Sequence, residues 1–453
     1  MKKLISVALV SMMVLSVILA GCSSGSKTSS SNTSNGGGSN KVVTITHYTI
    51  NAPDKIFIKK LIPDFEKTHP NIKVNVVAVP WDQFDPKLQT MIAGGNPPDV
   101  TSHWGSGGFM EYYNKGMLTD LTPLMKKNNF DPVSIGIPQK ELDSYNVNGK
   151  QYGIPVYAYV SVLAYNQDLF KKAGLPNPPS SYEDKSWTFD KMVEYAKKLT
   201  IVSKDPSKVQ YGLNWAWGSN DMNPIYFGAK IYSDDTWTNG GKPSQNFFAS
   251  PEATNAVQRI ADLVWKDKVM PSPAMSQALA SGSDVFFTGK VGMEVNGGWV
   301  LTGAGSVKFK VGVAAIPVGN DPNVRDVTYV DPLFILKGSK HPDEAFQWIM
   351  YLLQKDVQEK SVKLSGGTPP ANTNALEAYY NNFPTINKDD LKNVVEGGLK
   401  YGTESYNHLI TNYTQIRTLV DNEINQVLNG KKKASEVTPG LQQKLNDLFK
   451  NNK

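Results

Sequence analysis

The chain has 453 residues, too many for one ordinary hydrophobic core, so we expect two lobes. Hydrophobic residues make up 40% and charged residues 19% of the chain, as in ordinary soluble globular proteins. The formal net charge is only +6, and Lys431–Lys433 is the one dense basic run, so nucleic-acid binding has little support.

The amino terminus has the pattern of a secretory signal. Lys2 and Lys3 precede a short apolar run, which is too short to be a good membrane span. The run ends in Leu-Ala-Gly-Cys22, which resembles the bacterial lipobox. This resemblance implies cleavage after residue 21, acylation of Cys22 (diacylglycerol and palmitate), and anchoring on the extracytoplasmic face of the cell membrane. The alternative is an ordinary cleaved signal with an incidental cysteine.

Cys22 is the only cysteine, which excludes an intrachain disulfide framework and a cysteine-based zinc site. Residues 23–40 contain no apolar side chain, so they cannot bury surface and we expect a flexible coil. Together, residues 22–40 would form a lipidated tether between the membrane and the folded protein.

The folded part begins with alternating strands and helices. Val42–Thr46 and Ile72–Val79 are predicted strands, and Pro97–Val100 opens a third. Helical apolar spacing lies between them. This β-α-β-α-β order predicts a mostly parallel sheet, in which ligands bind at the carboxyl ends of the strands.

Aromatic and polar residues follow those strand ends. Tyr48 follows the first strand, Trp81 and Asp82 the second, and Trp104 the third. His47 and His103 lie beside them and are either ligand contacts or local hydrogen-bonding groups. Asp82 is either a hydroxyl acceptor or an exposed loop carboxylate.

A long apolar strand divides the chain. Asn148-Gly149 predicts a type I′ turn, and Tyr152–Pro155 a short strand that ends at its proline. Val156–Tyr165 is rich in β-branched and aromatic residues and predicts a strand covered on both faces. Such a strand could carry the chain from one lobe to the other.

The second half carries further tryptophans beside glycines. Trp215 and Trp217 end a predicted strand, and alternation predicts that only one of them faces the cleft. Trp299 ends an Asn-Gly-Gly-Trp sequence. Val311–Pro317 is predicted to be the second crossover between the lobes. Asp331, at a strand start, is either a hydroxyl acceptor or an exposed loop carboxylate.

These motifs carry a family resemblance. Tyr-Gly-Ile-Pro155, Tyr165-Asn166, the segment 168–175 and Asn-Gly-Gly-Trp299 are similar to segments of extracellular solute-binding proteins of ABC importers, of the maltose- and oligosaccharide-binding kind. The resemblance implies a two-lobed periplasmic-binding-protein-like α/β fold of type II. Each lobe is then a mostly parallel sheet flanked by helices, and crossover hinge segments join the lobes. Gly366–Pro370 matches a loop near the third crossing.

The resemblance also implies domain limits and site roles. The N-terminal lobe would comprise residues 41–156 and 318–366, and the C-terminal lobe residues 157–317 and 367–453. Trp104 would stack on a sugar, with Trp299 as the opposing platform. Tyr159 stands where maltodextrin binders carry an acidic residue, which argues against maltose itself.

The predicted function is capture of a carbohydrate in the interlobe cleft and its delivery to the membrane permease. Sugar rings need flat aromatic surfaces together with hydrogen-bonding side chains. We expect a monomer without catalytic activity, cofactor or metal. The alternative is a cell-surface glycoside hydrolase or lyase, which needs two facing carboxylates, although the sequence has no known catalytic motif. An adhesin or scaffold would not need a two-lobed body.

Overall fold

The computed structural model describes residues 42–203, 205, 208–217, 219–280, 284–320 and 325–451. The predicted signal peptide, the acylation site at Cys22 and the tether lie outside these residues. Among the helices that the structure does describe, none has the length and apolar character needed to cross a membrane.

The strands are β1 (Val43–Ile50), β2 (Ile72–Val79), β3 (Val100–Thr101), β4 (Asn146–Val147), β5 (Lys150–Gln151), β6 (Ile154–Asn166), β7 (Tyr211–Trp215), β8 (Val291–Gly297), β9 (Val311–Ala314), β10 (Asp326–Ile335) and β11 (Gly402–Glu404). Short 3₁₀ helices cover Phe57–Lys60, Trp81–Gln83, Asp234–Trp237, Val285–Thr288, Gly298–Ser306 and Thr373–Ala375.

The α-helices are α1 (Pro53–Ile56), α2 (Ile62–Thr68), α3 (Phe84–Ala93), α4 (Phe109–Asn114), α5 (Thr122–Lys127), α6 (Gln139–Asp143), α7 (Gln167–Lys172), α8 (Phe189–Leu199), α9 (Asn223–Tyr226), α10 (Pro251–Trp265), α11 (Pro273–Ala280), α12 (Pro342–Leu352), α13 (Lys355–Ser365), α14 (Leu376–Tyr380), α15 (Lys388–Tyr401), α16 (Tyr406–Leu409), α17 (Tyr413–Leu428) and α18 (Ala434–Asn451).

The main sheet has the order β2-β1-β3-β10-β6-β8-β7, with β11 beside β10 and β9 beside β6. At one end, β1 is parallel to both β2 and β3, as the sequence predicts. At the other end, β7 is parallel to β8. The antiparallel pair of β6 and β10 lies between these two parallel parts.

β6 is one continuous strand of 13 residues, all of them buried. The prediction that a separate short strand ends at Pro155 is therefore wrong. Pro155 lies opposite Pro332 of β10, next to a shift in register. Neither proline can donate an N–H to the ladder, and the two strands stay paired on either side of this position.

The segment predicted to be the second crossover contains β9, which pairs with residues 163–166 at the far end of β6. The first part of β6 pairs instead with β10, which also pairs with β3. Asn148 and Gly149 have φ angles of 53° and 76°, so the predicted turn between β4 and β5 is confirmed.

The hydrophobic core changes along β6. Tyr159 and the residues before it pack in a cluster drawn from 45–159 and 330–371. Val160 and the residues after it pack in two clusters that include α8, α10, α15, α17 and α18. The predicted domain limits stay a prediction, but this change of core marks the place where a cavity opens.

Candidate binding site

A cavity of about 560 Å³ lies over the point where β6 passes from one hydrophobic cluster to the next. Six aromatic side chains line it, namely Trp81, Trp104, Tyr159, Trp299, Tyr329 and Tyr413. Its polar lining includes Asp54, Lys55, His103, Ser219, Asp331, Asn407, His408 and Arg417. The cavity therefore combines flat apolar faces with charged and neutral hydrogen-bonding groups.

The floor of the cavity is formed by β6 and β10. Tyr159 and Tyr329 are directly paired across these strands, and Asp331 lies opposite Tyr157. The register shifts between Asp331 and Pro332. The shift follows Asp331, so Tyr329 and Asp331, two positions apart on β10, present their side chains to the cavity from one face of the strand.

Lys55 is the charged centre of the site. It follows the end of β1, on α1, and is only 5% exposed. Its Nζ lies 3.0 Å from Asp54 Oδ2 and 3.1 Å from Asp331 Oδ2. It also donates to the hydroxyl of Tyr159 at 3.1 Å and lies 4.5 Å from the centre of that ring. The two carboxylates thus compensate the positive charge of the ammonium group without a ligand.

The same contacts set the protonation states. Burial opposes ionisation of Asp54, but the Lys55 charge and hydrogen bonds from Lys55 and Tyr159 outweigh it and lower the Asp54 pKa. Burial also opposes the charge on Lys55, yet Asp54, Tyr159 and Asp331 raise its pKa well above the usual value. The site therefore holds a carboxylate and an ammonium side by side.

Trp104 forms a rigid wall. Its ring stacks on His47 with centroids 6.2 Å apart and meets Phe84 edge-on at 6.4 Å. Trp348 Nε1 donates to His47 Nδ1 at 2.9 Å, which fixes the histidine behind Trp104. The wall is thereby held by the core rather than by a ligand.

Trp299 and Trp81 offer the more accessible faces. Trp299 is 36% exposed and leans edge-on against Tyr159 at 5.9 Å and Tyr329 at 4.8 Å. Trp81 is 45% exposed, with the Arg417 guanidinium 5.4 Å from its ring centre. Both rings have surface available for stacking at the side of the cavity.

The loop that follows Trp104 is held by Asp85 of α3. The Asp85 carboxylate accepts the N–H groups of Ser106 at 2.6 Å and Gly107 at 3.0 Å, and the hydroxyl of Tyr112 at 2.6 Å. A Cβ at Gly105 would lie 2.2 Å from the Asp85 carboxylate, so the close approach requires glycine.

On the opposite side, Asp221 organises two hydroxyl groups of the lining. It accepts the hydroxyls of Tyr413 at 2.7 Å and Tyr232 at 2.9 Å, and also that of Ser219. These bonds fix Ser219, which follows β7, and Tyr413, the first residue of α17, and both residues line the cavity.

The side chains of His103, Asp331 and His408 each offer one atom that could coordinate a metal ion, and these atoms lie within 4.8 Å of one another. The two imidazoles, however, are stacked with centroids 3.7 Å apart and planes inclined by 16°. Lone pairs in nearly parallel planes do not converge on one ion, and Asp331 already contacts Lys55. This geometry does not fit a metal ion.

Burial and the neighbouring His408 lower the His103 pKa well below its usual value, and its Nε2–H donates to the Val330 carbonyl at 3.1 Å.

Five of the residues predicted for the site line the cavity, namely Trp81, Trp104, Tyr159, Trp299 and Asp331. They come from the ends of β2, β3 and β8 and from the paired strands β6 and β10. The structure thus brings together residues up to 250 positions apart in the sequence.

The other four predicted residues lie outside the cavity lining. Trp215 and Trp217 pack in the core against Tyr226, and Trp215 Nε1 donates to Asn223 Oδ1 at 2.9 Å. Tyr48 is buried beside Phe84, and its hydroxyl donates to the Phe84 carbonyl at 2.9 Å. Asp82 is exposed to solvent on the short helix after β2.

Sequence reasoning missed several polar groups of the lining. Lys55 lies on α1, shortly after β1 ends, and its position in an Asp-Lys pair just after a strand is the signal that could have indicated it. Asn407, His408, Tyr413 and Arg417 come from α16 and α17, more than 300 residues after Trp81 and Trp104 in the sequence. No local pattern predicts that these helices reach the cavity.

The chain is similar to known binding proteins. The model of the family described as bacterial extracellular solute-binding protein matches residues 51–359. A putative binding protein of Brucella abortus is 26% identical over 352 residues, which cover 75% of this chain and 78% of that one. The arabinooligosaccharide-binding protein of Bacillus subtilis is 30% identical over 207 residues, covering 44% of this chain and 43% of that one.

The fold resembles solved structures of the same kind. An ABC substrate-binding protein from Listeria monocytogenes, solved in complex with cycloalternan, superposes with a TM-score of 0.75 and 26% identity. The match covers 90% of this chain and 99% of that one. The predicted fold class, a two-lobed α/β fold of the binding-protein type, is therefore confirmed.

Proposed function

Since the chain belongs to the bacterial extracellular solute-binding protein family, we propose that it captures a carbohydrate in the cavity between β6, β10 and α17 and delivers it to an ABC importer. The relatives and structural neighbours are binding proteins. The arabinooligosaccharide-binding relative and the cycloalternan complex support an oligosaccharide as the ligand.

The observation that carries this proposal is the composition of the cavity. Trp104, Trp299 and Trp81 provide ring surfaces for the C–H faces of sugars, and the side chains between them can donate to and accept from hydroxyl groups. A ligand there would touch residues of the hydrophobic cluster drawn from 45–159 and 330–371 and residues of the cluster that includes α17. Binding would therefore favour closure of the lobes by hinge motion at Val156–Tyr159 and Ile316–Val318.

The proposal includes the partners and the location of the protein. The receptor would hand its ligand to the transmembrane permease subunits, as a monomer that Cys22 holds at the extracytoplasmic face of the cell membrane. Neither a nucleic acid nor a cofactor takes part in this cycle.

The alternative function, a glycoside hydrolase or lyase, has one feature in its favour and one against it. Asp54 and Asp331 are two carboxylates in the cavity, both in contact with Lys55. A retaining or inverting hydrolase needs one of its two carboxyl groups protonated, with a raised pKa. The pKa of Asp54 is lowered instead, and Lys55 occupies the space between the two carboxylates. This arrangement supports binding without bond cleavage.

Isothermal titration calorimetry tests the proposal with maltotriose, mannobiose, cellobiose, arabinobiose and mannitol, each added to the purified protein. We expect saturable binding of at least one oligosaccharide, with one site per chain. A protein that binds none of these compounds would not have the proposed function.

A further inference from the structure

Each basic side chain of the cavity lining is already paired with a carboxylate. Lys55 contacts Asp54 at 3.0 Å and Asp331 at 3.1 Å. Arg417 contacts Asp421, which lies one helical turn further along α17, at 3.3 Å. Asp421 is outside the cavity lining, so Arg417 is compensated from behind, and the group of Asp54, Lys55 and Asp331 holds two carboxylates around one ammonium.

We propose that this pairing makes the site select neutral sugars over acidic ones, and that Asp331 is the specificity-determining residue. The inference rests on the proposed carbohydrate-binding function and names the class of carbohydrate. The whole chain carries a positive net charge of +6, which by itself would favour uronic acids, so the local pairing and the net charge predict opposite preferences.

The physical reason lies in the position of the two carboxylates. Lys55 is the buried cation of the lining, and Asp54 and Asp331 flank its ammonium group directly. A uronate carboxylate that approached Lys55 would come close to both carboxylates, and like charges at such distances repel strongly where water is excluded. A neutral hydroxyl group has no such cost and can donate a hydrogen bond to either carboxylate.

Arg417 does not offset this effect. Its side chain is 37% exposed and shares its charge with Asp421, so water and its partner screen it. Its guanidinium also lies over the Trp81 ring at the side of the cavity, at 5.4 Å. The charge that a ligand meets deep in the cavity is therefore set by Asp54, Lys55 and Asp331.

The test is the Asp331→Asn variant, which keeps the shape of the side chain and removes one negative charge. Lys55 then retains only Asp54 as a charged partner, and a ligand carboxylate can take the place of the one removed. Asp54→Asn makes the same change on the other side of Lys55 and serves as a second variant if the first does not fold. Asp82→Asn is the matched control, because Asp82 is exposed and outside the cavity lining.

The probes are pairs of disaccharides that differ by one or more carboxylates: maltose with maltobiouronate, cellobiose with cellobiouronate, and galactobiose with digalacturonate. Calorimetry gives both affinities of each pair for each variant, and thermal unfolding checks that the variant is folded. We expect wild-type protein to bind the neutral member at least about tenfold more tightly. Asp331→Asn should reduce this preference by at least about tenfold, and Asp82→Asn should leave it unchanged.

Three results overturn the inference. Equal or tighter binding of the acidic member by wild-type protein contradicts it while the carbohydrate-binding function stands. If Asp331→Asn prefers the neutral disaccharide as strongly as Asp82→Asn does, Asp331 does not determine the specificity. Binding of neither member of any pair overturns the predicted preference, and only a further absence of binding to the sugars titrated above removes the proposed function as well.

Discussion

At the scale of single residues, Trp299 is the most direct test of the cavity. Its ring is partly exposed and leans on Tyr159 and Tyr329 rather than inserting into the core. Trp299→Ala should therefore weaken sugar binding at least about tenfold, which is about 1.4 kcal/mol, and leave the fold intact. Calorimetry with the tightest-binding sugar measures the effect.

Trp265→Ala is the control for Trp299. Trp265 is 47% exposed at the end of α10, and its Nε1 donates to the Leu428 carbonyl at 3.1 Å, away from the cavity. This variant should keep the wild-type affinity. Equal affinities of the two variants would exclude Trp299 from the binding site.

Lys55 is expected to matter for stability as well as for binding. Lys55→Met leaves the Asp54 and Asp331 carboxylates close together without the ammonium between them. Removing one partner of a buried charge cluster typically costs about 3–5 kcal/mol. Urea unfolding should show a decrease of this size, and the triple variant with Asp54→Asn and Asp331→Asn should recover most of it. A decrease below about 1 kcal/mol in Lys55→Met would mean that the carboxylates are solvated in the folded protein.

Glu141 is expected to make stability depend on pH. Burial, and then the nearby Glu404 charge, raise the Glu141 pKa to about 8. The folded protein thus holds this proton more tightly than the unfolded chain does. The contribution of Glu141 to stability is fully present below the unfolded pKa near 4.5 and is lost as pH rises through about 8.

The measurement is the free energy of unfolding between pH 5 and pH 8 for wild-type protein and Glu141→Gln. The wild type should lose a few kcal/mol relative to the variant across this range, since glutamine keeps the neutral form at every pH. Parallel pH profiles for the two proteins would show that Glu141 ionises normally in the folded state.

Single residues also show the limits of what the sequence predicts. Trp104 and Trp299 stand beside glycines at strand ends and line the cavity, but Trp215 and Trp217 stand in the same kind of context and lie in the core. A glycine beside an aromatic residue is compatible with both places. What separates them is contact with residues distant in sequence, such as Asn223 and Tyr226 for Trp215.

At the scale of secondary-structure elements, the loop before α4 and helix α16 touch beside the cavity, whose lining includes Gly105 of the loop and Asn407 of the helix. A Cβ at Gly108 would lie 1.7 Å from the Asn407 carbonyl oxygen. Gly108 has an extended conformation with φ of −124°, which any residue can adopt, so a larger side chain would act by steric contact alone. The loop and the helix could not then approach as closely as they do here.

Gly108→Val should therefore weaken ligand binding at least about tenfold by holding α16 away from the loop. Gly305→Val is the matched control, because nothing lies within 4 Å of a Cβ at Gly305 and its φ is not in the left-handed region. Fluorescence titration compares the two affinities. Wild-type affinity in Gly108→Val would mean that the Gly108–Asn407 contact is not needed for the bound state.

Local patterns predicted the elements that depend on short segments. The strands β1 and β2, their parallel pairing and the turn at Asn148-Gly149 follow from hydrophobic alternation and turn chemistry. The full length of β6 did not, because Pro155 normally ends a strand and only its partner Pro332 in β10 explains its place. The role of β10 depends on pairing across more than 150 residues, which no local pattern contains.

At the scale of the whole molecule, the chain places its candidate site where its hydrophobic clusters meet. β6 and β10 run through this junction and supply Tyr159, Tyr329 and Asp331, while the walls come from strand ends on one side and from α16 and α17 on the other. Motion of one side relative to the other would change the cavity without disturbing either core. Such an arrangement suits a receptor that encloses its ligand and later releases it.

Whole-molecule closure has a direct observable. Small-angle X-ray scattering of wild-type protein should give a smaller radius of gyration when the tightest-binding sugar is present than when it is absent. Trp299→Ala should show the change only at higher sugar concentration, in proportion to its weaker affinity. An unchanged radius at saturation would mean that binding does not close the lobes.

The most direct test of the central claim is a calorimetric titration with the tightest-binding oligosaccharide, followed by chromatographic recovery of the sugar from the same cell after prolonged incubation. A receptor should bind with one site per chain and return the oligosaccharide intact and in full. Recovery of shorter or modified sugars in amounts that grow with time would contradict the account and make the protein a carbohydrate-active enzyme.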